Sequence, residues 1–181
     1  GSTNKWILMY NDDSQQFQMH INGSWVGSQW PHSDAINLNV GDTYTLTVVK
    51  SASHYQFYLD GQFIGDNNES WDNIPVPAAP ITIGTVCSNS DEPCYNSGWG
   101  FFNGSIDRIG IWDKALSNDE RLDLANQDLY LDLSVDSYNY NSSSNIIGYW
   151  DFNEGSGNTL YDYSGNDNHG TIYGAQWSSS D

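Results

Sequence analysis

Apolar and polar positions alternate with a period of two in several short stretches of this chain. Phe17, Met19 and Ile21 alternate with Gln16, Gln18 and His20, which predicts a half-exposed strand. Asn22-Gly23 follows as a type I′ hairpin signal, and Trp25 and Val26 begin the return strand. Tyr44, Leu46 and Val48 alternate with Thr43, Thr45 and Thr47, the clearest antiparallel pattern in the sequence. Residues 55–59 and 62–65 flank Asp60-Gly61, a second hairpin signal. Residues 6–10, 81–85 and 147–152 are short apolar runs that read as further strands, with a small strand at 171–173.

Residues 98–113 read Gly-Trp-Gly-Phe-Phe-Asn-Gly-Ser-Ile-Asp-Arg-Ile-Gly-Ile-Trp-Asp. Apolar residues fall on both faces of this stretch, which predicts a strand buried on both sides near the middle of a sheet. Asp107 would then need backbone donors, a cation or solvent at the strand's end, because an unpaired buried charge costs several kcal/mol. One helix is predicted at 118–125, started by a Ser117/Glu120 capping box. Leu122 and Ala125, with Leu116 before the cap, are expected to face the sheets. The pattern divides the chain into a main body at 1–126, a polar connecting loop at 127–145 and C-terminal strands at 146–181 that complete the fold. Short aromatic runs separated by turn residues indicate an all-β sandwich or barrel.

The length, 181 residues, suits one domain with a real core. Five Lys+Arg against 23 Asp+Glu give a net charge of −18, which argues against nucleic acid and anionic membrane as partners. No apolar run approaches the ~20 residues of a membrane-spanning helix. No signal peptide is visible, and Gly1-Ser2 resembles a cloning remnant, so the natural start is expected upstream. Cys87 and Cys94 close a short polar loop, and a disulfide is favoured over two free thiols, which implies an oxidising compartment.

Two constellations could carry chemistry. Trp25, Trp30, Trp71, Tyr95 and Trp99 lie in or beside loops. A partly exposed ring held flat can stack on the C–H face of a sugar, with neighbouring Asn, Asp and Gln binding its hydroxyls. The second is Asp162-Tyr-Ser164-Gly-Asn166-Asp-Asn168-His-Gly170, whose oxygen-bearing side chains recur at alternate positions as in a calcium loop. The EF-hand template does not fit, since the twelfth position is Tyr173. The other reading is a loop whose Asp and Asn side chains cap their own backbone. No catalytic residues are assigned. Only four glutamates occur, none paired for glycoside hydrolysis. Gly-x-Ser-x-Gly and Gly-x-x-x-x-Gly-Lys are absent, and the four histidines show no metal-ligand spacing.

Three segments together resemble laminin-G-like, concanavalin A-like domains. Residues 57–65 read Phe-Tyr-Leu-Asp-Gly-Gln-Phe-Ile-Gly. Residues 102–120 read Phe-Asn-Gly-Ser-Ile-Asp-Arg-Ile-Gly-Ile-Trp-Asp-Lys-Ala-Leu-Ser-Asn-Asp-Glu. Residues 148–157 read Gly-Tyr-Trp-Asp-Phe-Asn-Glu-Gly-Ser-Gly, followed by Asp162-Tyr-Ser-Gly-Asn166. The resemblance implies a two-sheet antiparallel jelly roll. It also implies a secreted, non-catalytic module that binds a glycan or polysaccharide, often with a calcium ion, within a larger extracellular enzyme or adhesin. Asp107, Asp162 and Asn166 are the positions that match its cation site. The family's usual opening strand pair is absent, and the segment at 148–157, which opens many members, stands near the end. A missing strand would leave an open sheet edge able to pair with another protein chain. An adhesion or assembly module, and a glucanase or polysaccharide lyase on the same sandwich, are the alternative functions.

Overall fold

The computed structural model describes residues 6–21, 31–52, 54–66, 80–85, 100–126 and 130–178. These residues are mostly strand and loop with one short α-helix, the all-β class that the alternation predicts. Strands β1 (Trp6–Asn11) and β2 (Gln16–Ile21) pair antiparallel, with Trp6 opposite Ile21 and Asn11 opposite Gln16. The turn between them is tied by the Ser14 N–H, which donates to Asn11 Oδ1 at 3.1 Å.

β2 is not half-exposed: Gln18 and His20 are buried together with Phe17 and Met19. Gln18 can be covered there because its bond is made locally: Nε2 donates to Ser14 Oγ at 3.2 Å. Residues 31–36 then run along β2. The Met19 N–H donates to the Pro31 carbonyl at 2.8 Å and the Ser33 N–H to the Phe17 carbonyl at 2.9 Å. On its other side the same segment reaches the next sheet, where the Asp34 N–H donates to the Ile64 carbonyl at 2.7 Å.

That sheet has the order β3 (Leu46–Ser51), β4 (His54–Leu59), β5 (Gln62–Gly65), all antiparallel. Asp60 and Gly61 turn the β4–β5 hairpin with φ of 48° and 74°, the pair of positive values that a type I′ turn requires. Phe17 and Met19 meet Tyr55, Phe57 and Leu59 in one core, with Trp6, Tyr44, Leu46 and Ile64 packed around it. Gly65 is where the 31–36 segment closes on β5. Its φ is +130°, and a Cβ there would lie 2.5 Å from the Asp34 backbone nitrogen. We expect Gly65→Ala to destabilise the fold by at least about 2 kcal/mol, because backbone strain and a backbone clash act together. A thermal melt indistinguishable from wild type would show that this segment is not fixed against β5.

The central stretch is shorter than predicted. Within the described part of it, residues 100–113, only Ile109–Trp112 forms a strand, β6, and it pairs antiparallel with β7 (Ile146–Trp150). Phe101 and Phe102 are exposed, as is Asp107, so solvent answers the question of its charge. Residues 81–85 also form no strand. Gly84 at φ 80° turns the chain and its carbonyl accepts the Phe102 N–H at 2.8 Å. In β6 and β7 the sequence Gly-x-Trp appears twice with one consequence: the indoles of Trp112 and Trp150 fold back over Gly110 and Gly148. A Cβ on Gly148 would meet the Trp150 ring at 2.6 Å.

A second core contains Leu116, Leu124, Leu131, Leu133, Tyr140, Ile146 and Tyr149, with Trp112 against it. Helix α1 (Asn118–Ala125) contributes Leu124 to this core, while Leu122, 39% exposed, and Ala125 face the β4–β5 hairpin at Gly61. The capping box is present: Ser117 Oγ accepts the Glu120 N–H at 3.3 Å and Glu120 Oε2 accepts the Ser117 N–H at 2.7 Å. Two contacts join α1 to the first sheet system. The Arg121 guanidinium lies 3.9 Å over the Tyr58 ring, and a Cβ on Gly61 would come 2.8 Å from Leu122 Cδ2. The polar connection at 130–145 carries no ladder strand, yet it folds onto this core through Leu131, Leu133 and Tyr140. A small ladder, β8 (Thr159–Leu160) with β9 (Gly170–Thr171), follows β7.

Candidate functional site

Residues 130–133 read Tyr-Leu-Asp-Leu and alternate exposed, buried, exposed, buried. The leucines anchor the segment in the second core, so Tyr130 and Asp132 must face outward. Arg108 fixes the backbone, donating from Nη1 to the Leu131 carbonyl at 3.0 Å and from Nη2 to the Leu124 carbonyl at 3.3 Å. β7 supplies Tyr149 and, just beyond its end, Asp151. The Tyr163 N–H donates to the Tyr149 carbonyl at 2.7 Å, which brings a third tyrosine alongside. Tyr130, Asp132, Ser134, Tyr149, Asp151 and Tyr163 line an open cleft of about 230 Å³.

The cleft has an aromatic floor and wall. The Tyr149 and Tyr163 ring centroids are 6.1 Å apart with planes inclined at 58°. Tyr149 is buried, while Tyr130 is 69% and Tyr163 45% exposed, so ring faces are available to a ligand. Hydrogen-bonding groups stand beside them. Asp132 Oδ1 accepts from the Ser134 hydroxyl at 2.6 Å and its N–H at 2.9 Å. Asp151 accepts from the Asn153 backbone at 3.2 Å and its Nδ2 at 3.3 Å, and the same Nδ2 donates to the Tyr130 hydroxyl.

The phenols of the cleft stay protonated at neutral pH. Burial pushes the Tyr149 hydroxyl up to about 12; a backbone bond at Leu133 opposes this, and Tyr130, Asp132 and Asp151 add to it. Tyr130 is raised by burial, then by the charges of Asp151 and Asp107, against the single cation Arg108. Tyr163 is raised by burial, then by Asp151 and Glu154. Asp151 thus acts on all three rings.

The 162–170 loop is built differently from a cation site. Asp162 is buried, and its Oδ1 accepts the Tyr149 and Ser164 N–H groups, each at 2.9 Å. Its Oδ2 accepts the Asn168 N–H and the Ser164 hydroxyl, also at 2.9 Å. Those four bonds fill the roughly four acceptor sites of a carboxylate. Burial raises the pKa of Asp162, but these bonds outweigh it and leave the group lowered. Asn166 Nδ2 donates to the Ile146 and Ile147 carbonyls, and Asp107 is exposed on the approach to β6. Among the described residues no group of three His, Cys, Asp or Glu side chains is placed to hold a metal ion. As placed here, the Asp162 carboxylate caps the backbone N–H groups of Tyr149, Ser164 and Asn168; melts in chelator and in calcium test whether it exchanges them for a cation.

Trp25, Trp30, Trp71, Tyr95 and Trp99 lie outside the described residues, as do Cys87 and Cys94. None of the cleft residues was among those selected from sequence. Tyr-x-Asp marks the cleft at 130–132 and 149–151 but also occurs at 10–12 and 58–60; the discriminating signal is the period-two Leu131/Leu133 pattern that sets the 130–132 copy in an otherwise polar stretch.

Residues 1–120 match the family model Laminin_G_3, described as the Concanavalin A-like lectin/glucanases superfamily. A crystal structure at 2.1 Å resolution of an S-layer domain-containing protein (residues 221–444) from Clostridium thermocellum ATCC 27405 is similar at 23% sequence identity with a TM-score of 0.37. The match covers 68% of this chain and 64% of that one, so the chain spans just under two thirds of that relative. No curated protein matches the chain. The cleft lies C-terminal to the stretch matched by the family.

Proposed function

From the premise that this chain belongs to the Concanavalin A-like lectin/glucanases superfamily, we propose that it is a non-catalytic carbohydrate-binding module that acts outside the cell. The observation that carries this reading is the cleft, where exposed faces of Tyr130 and Tyr163 stand next to Asp132, Ser134, Asp151 and Asn153. Ring faces take the apolar C–H side of a pyranose, and carboxylates and amides take its hydroxyls. The volume, about 230 Å³, lies below the ~300–1,000 Å³ of pockets that enclose drug-sized ligands. The site is therefore sized for one sugar ring of a chain or branch.

Asp132 accepts from Ser134 and Asp151 from Asn153, and in this reading both carboxylates serve as hydroxyl-binding groups beside the rings. Binding at a single ring should be weak and improved by repetition along a polymer. Titration with a panel of soluble polysaccharides, followed by calorimetry, tests the reading. Binding of at least one polysaccharide, weakened about tenfold or more by Tyr130→Ala, is expected. A panel without a single response, on protein shown to be folded, would contradict it.

A further inference from the structure

Resting on the carbohydrate reading above, we infer that the sugar taken by this cleft carries a free amine: a 2-amino-2-deoxy-hexose unit, bound as its ammonium. The first ground is the pair of exposed phenol rings. Tyr130 and Tyr163 line the cleft at 69% and 45% exposure, with Tyr163 packed on the buried Tyr149 at 6.1 Å, so two electron-rich rings border one small volume. A cation over such faces is attracted by the ring quadrupoles, and more strongly as water is displaced.

The second ground is the charge around it. Asp132 and Asp151 line the cleft, and Asp107 and Glu154 lie close enough to act on Tyr130 and Tyr163. Arg108 is the one cation acting on Tyr130 among these groups, and its guanidinium is turned to the carbonyls of Leu131 and Leu124. Asp132 and Asp151 each use two acceptor sites on Ser134 or Asn153, which leaves acceptor capacity for an ammonium. The whole chain, at −18, steers cations inward. An acetylated amine would lose both the charge and the donor count, and a uronic acid would be repelled.

The test uses three hexasaccharides: a fully deacetylated glucosamine oligomer, its N-acetylated counterpart and cellohexaose. They are titrated into the full chain at a pH that keeps the amines protonated, with amide shifts read by NMR. The expected result is that the deacetylated oligomer binds at least tenfold tighter than the other two. Asp151→Asn should remove most of that preference, and Tyr130→Ala should weaken all binding. Equal affinity for the three oligomers would overturn the inference and leave the carbohydrate reading standing. A preference unchanged in both Asp151→Asn and Asp132→Asn would also overturn it, because attraction would then come from the general negative charge. No response to any oligomer, with polylysine shifting the amides of the cleft, would defeat both. Melting curves of each variant confirm that the comparison is made on folded protein.

Discussion

Replacing Glu120 by alanine is expected to lower stability by about 3 kcal/mol, the largest single effect among the helix residues. Glu120 is fully buried on α1, and its carboxylate accepts bonds from three directions. Oε2 takes the Ser117 N–H at 2.7 Å and closes the capping box. Oε1 takes the Ser142 hydroxyl and the Asn141 N–H, which belong to the 130–145 connection. Lys114 Nζ stands 3.7 Å away. Removing the side chain leaves these donors without their acceptor in a buried place, where each costs roughly 1–3 kcal/mol before relaxation. It also loses a cap worth ~1 kcal/mol. For a chain of this length the melting temperature should fall by roughly 6–12 °C. A drop of under 3 °C would mean that the helix and the connection are held by their leucines alone.

The same carboxylate sets an acid limit. Burial raises its pKa, but the bonds from Ser142, Ser117 and Asn141 prevail and hold it at about 2 against an ordinary 4.5. The folded state therefore binds the proton less readily than the unfolded chain. The stabilisation is complete above about pH 4.5 and is lost as pH falls from there through 2. In Glu120→Gln that part of the pH dependence should disappear, which urea melts between pH 2 and 6 would show.

Asp162→Ala is expected to have a comparable effect, about 3 kcal/mol. Its oxygens gather the N–H groups of Tyr149, Ser164 and Asn168 and the Ser164 hydroxyl, and its own N–H donates to His169 Nδ1 at 3.0 Å. The loss would detach the tail from β7, next to the carbonyl that positions Tyr163. Asp162→Asn should be nearly as damaging, because an amide nitrogen would be set against N–H donors. Because those bonds fill the carboxylate, the melting temperature should be the same within about 1 °C in chelator and in millimolar calcium, since a ligand of the native state must stabilise it. A rise of several degrees with calcium, abolished in Asp162→Asn, would show that the carboxylate exchanges its donors for a cation.

What could be read beforehand follows from what is local. The Asp60-Gly61 hairpin and the Ser117/Glu120 box are decided by residues within four positions of one another, and both are where the sequence places them. The pairing of β6 with β7 is not local. Hydrophobicity along residues 98–113 marks an important stretch, but it does not say that the ladder begins only at Ile109 or that Phe101 and Phe102 stay outside it. The burial of His20 and Gln18 depends on the 31–36 segment lying along β2, a match between backbones that no side-chain pattern announces. The cleft was hidden for a similar reason. Residues 127–145 look like a polar connection in composition, yet three apolar side chains at 131, 133 and 140 pin it to the core and turn Tyr130 and Asp132 toward Asp151 and Tyr163. Aromatic count drew attention to tryptophans in loops; the described site is made of tyrosines set by neighbouring leucines.

The central claim is that a sugar is held at the surface where residues 130–134 meet the end of β7. Its most direct test is a map of backbone amide shifts during titration with a soluble oligosaccharide that binds. Shifts concentrated at residues 130–134, 149–153 and 161–164, and lost in Tyr130→Ala, are the predicted result. Saturable shifts confined to other parts of the chain, with these amides unmoved, would contradict it.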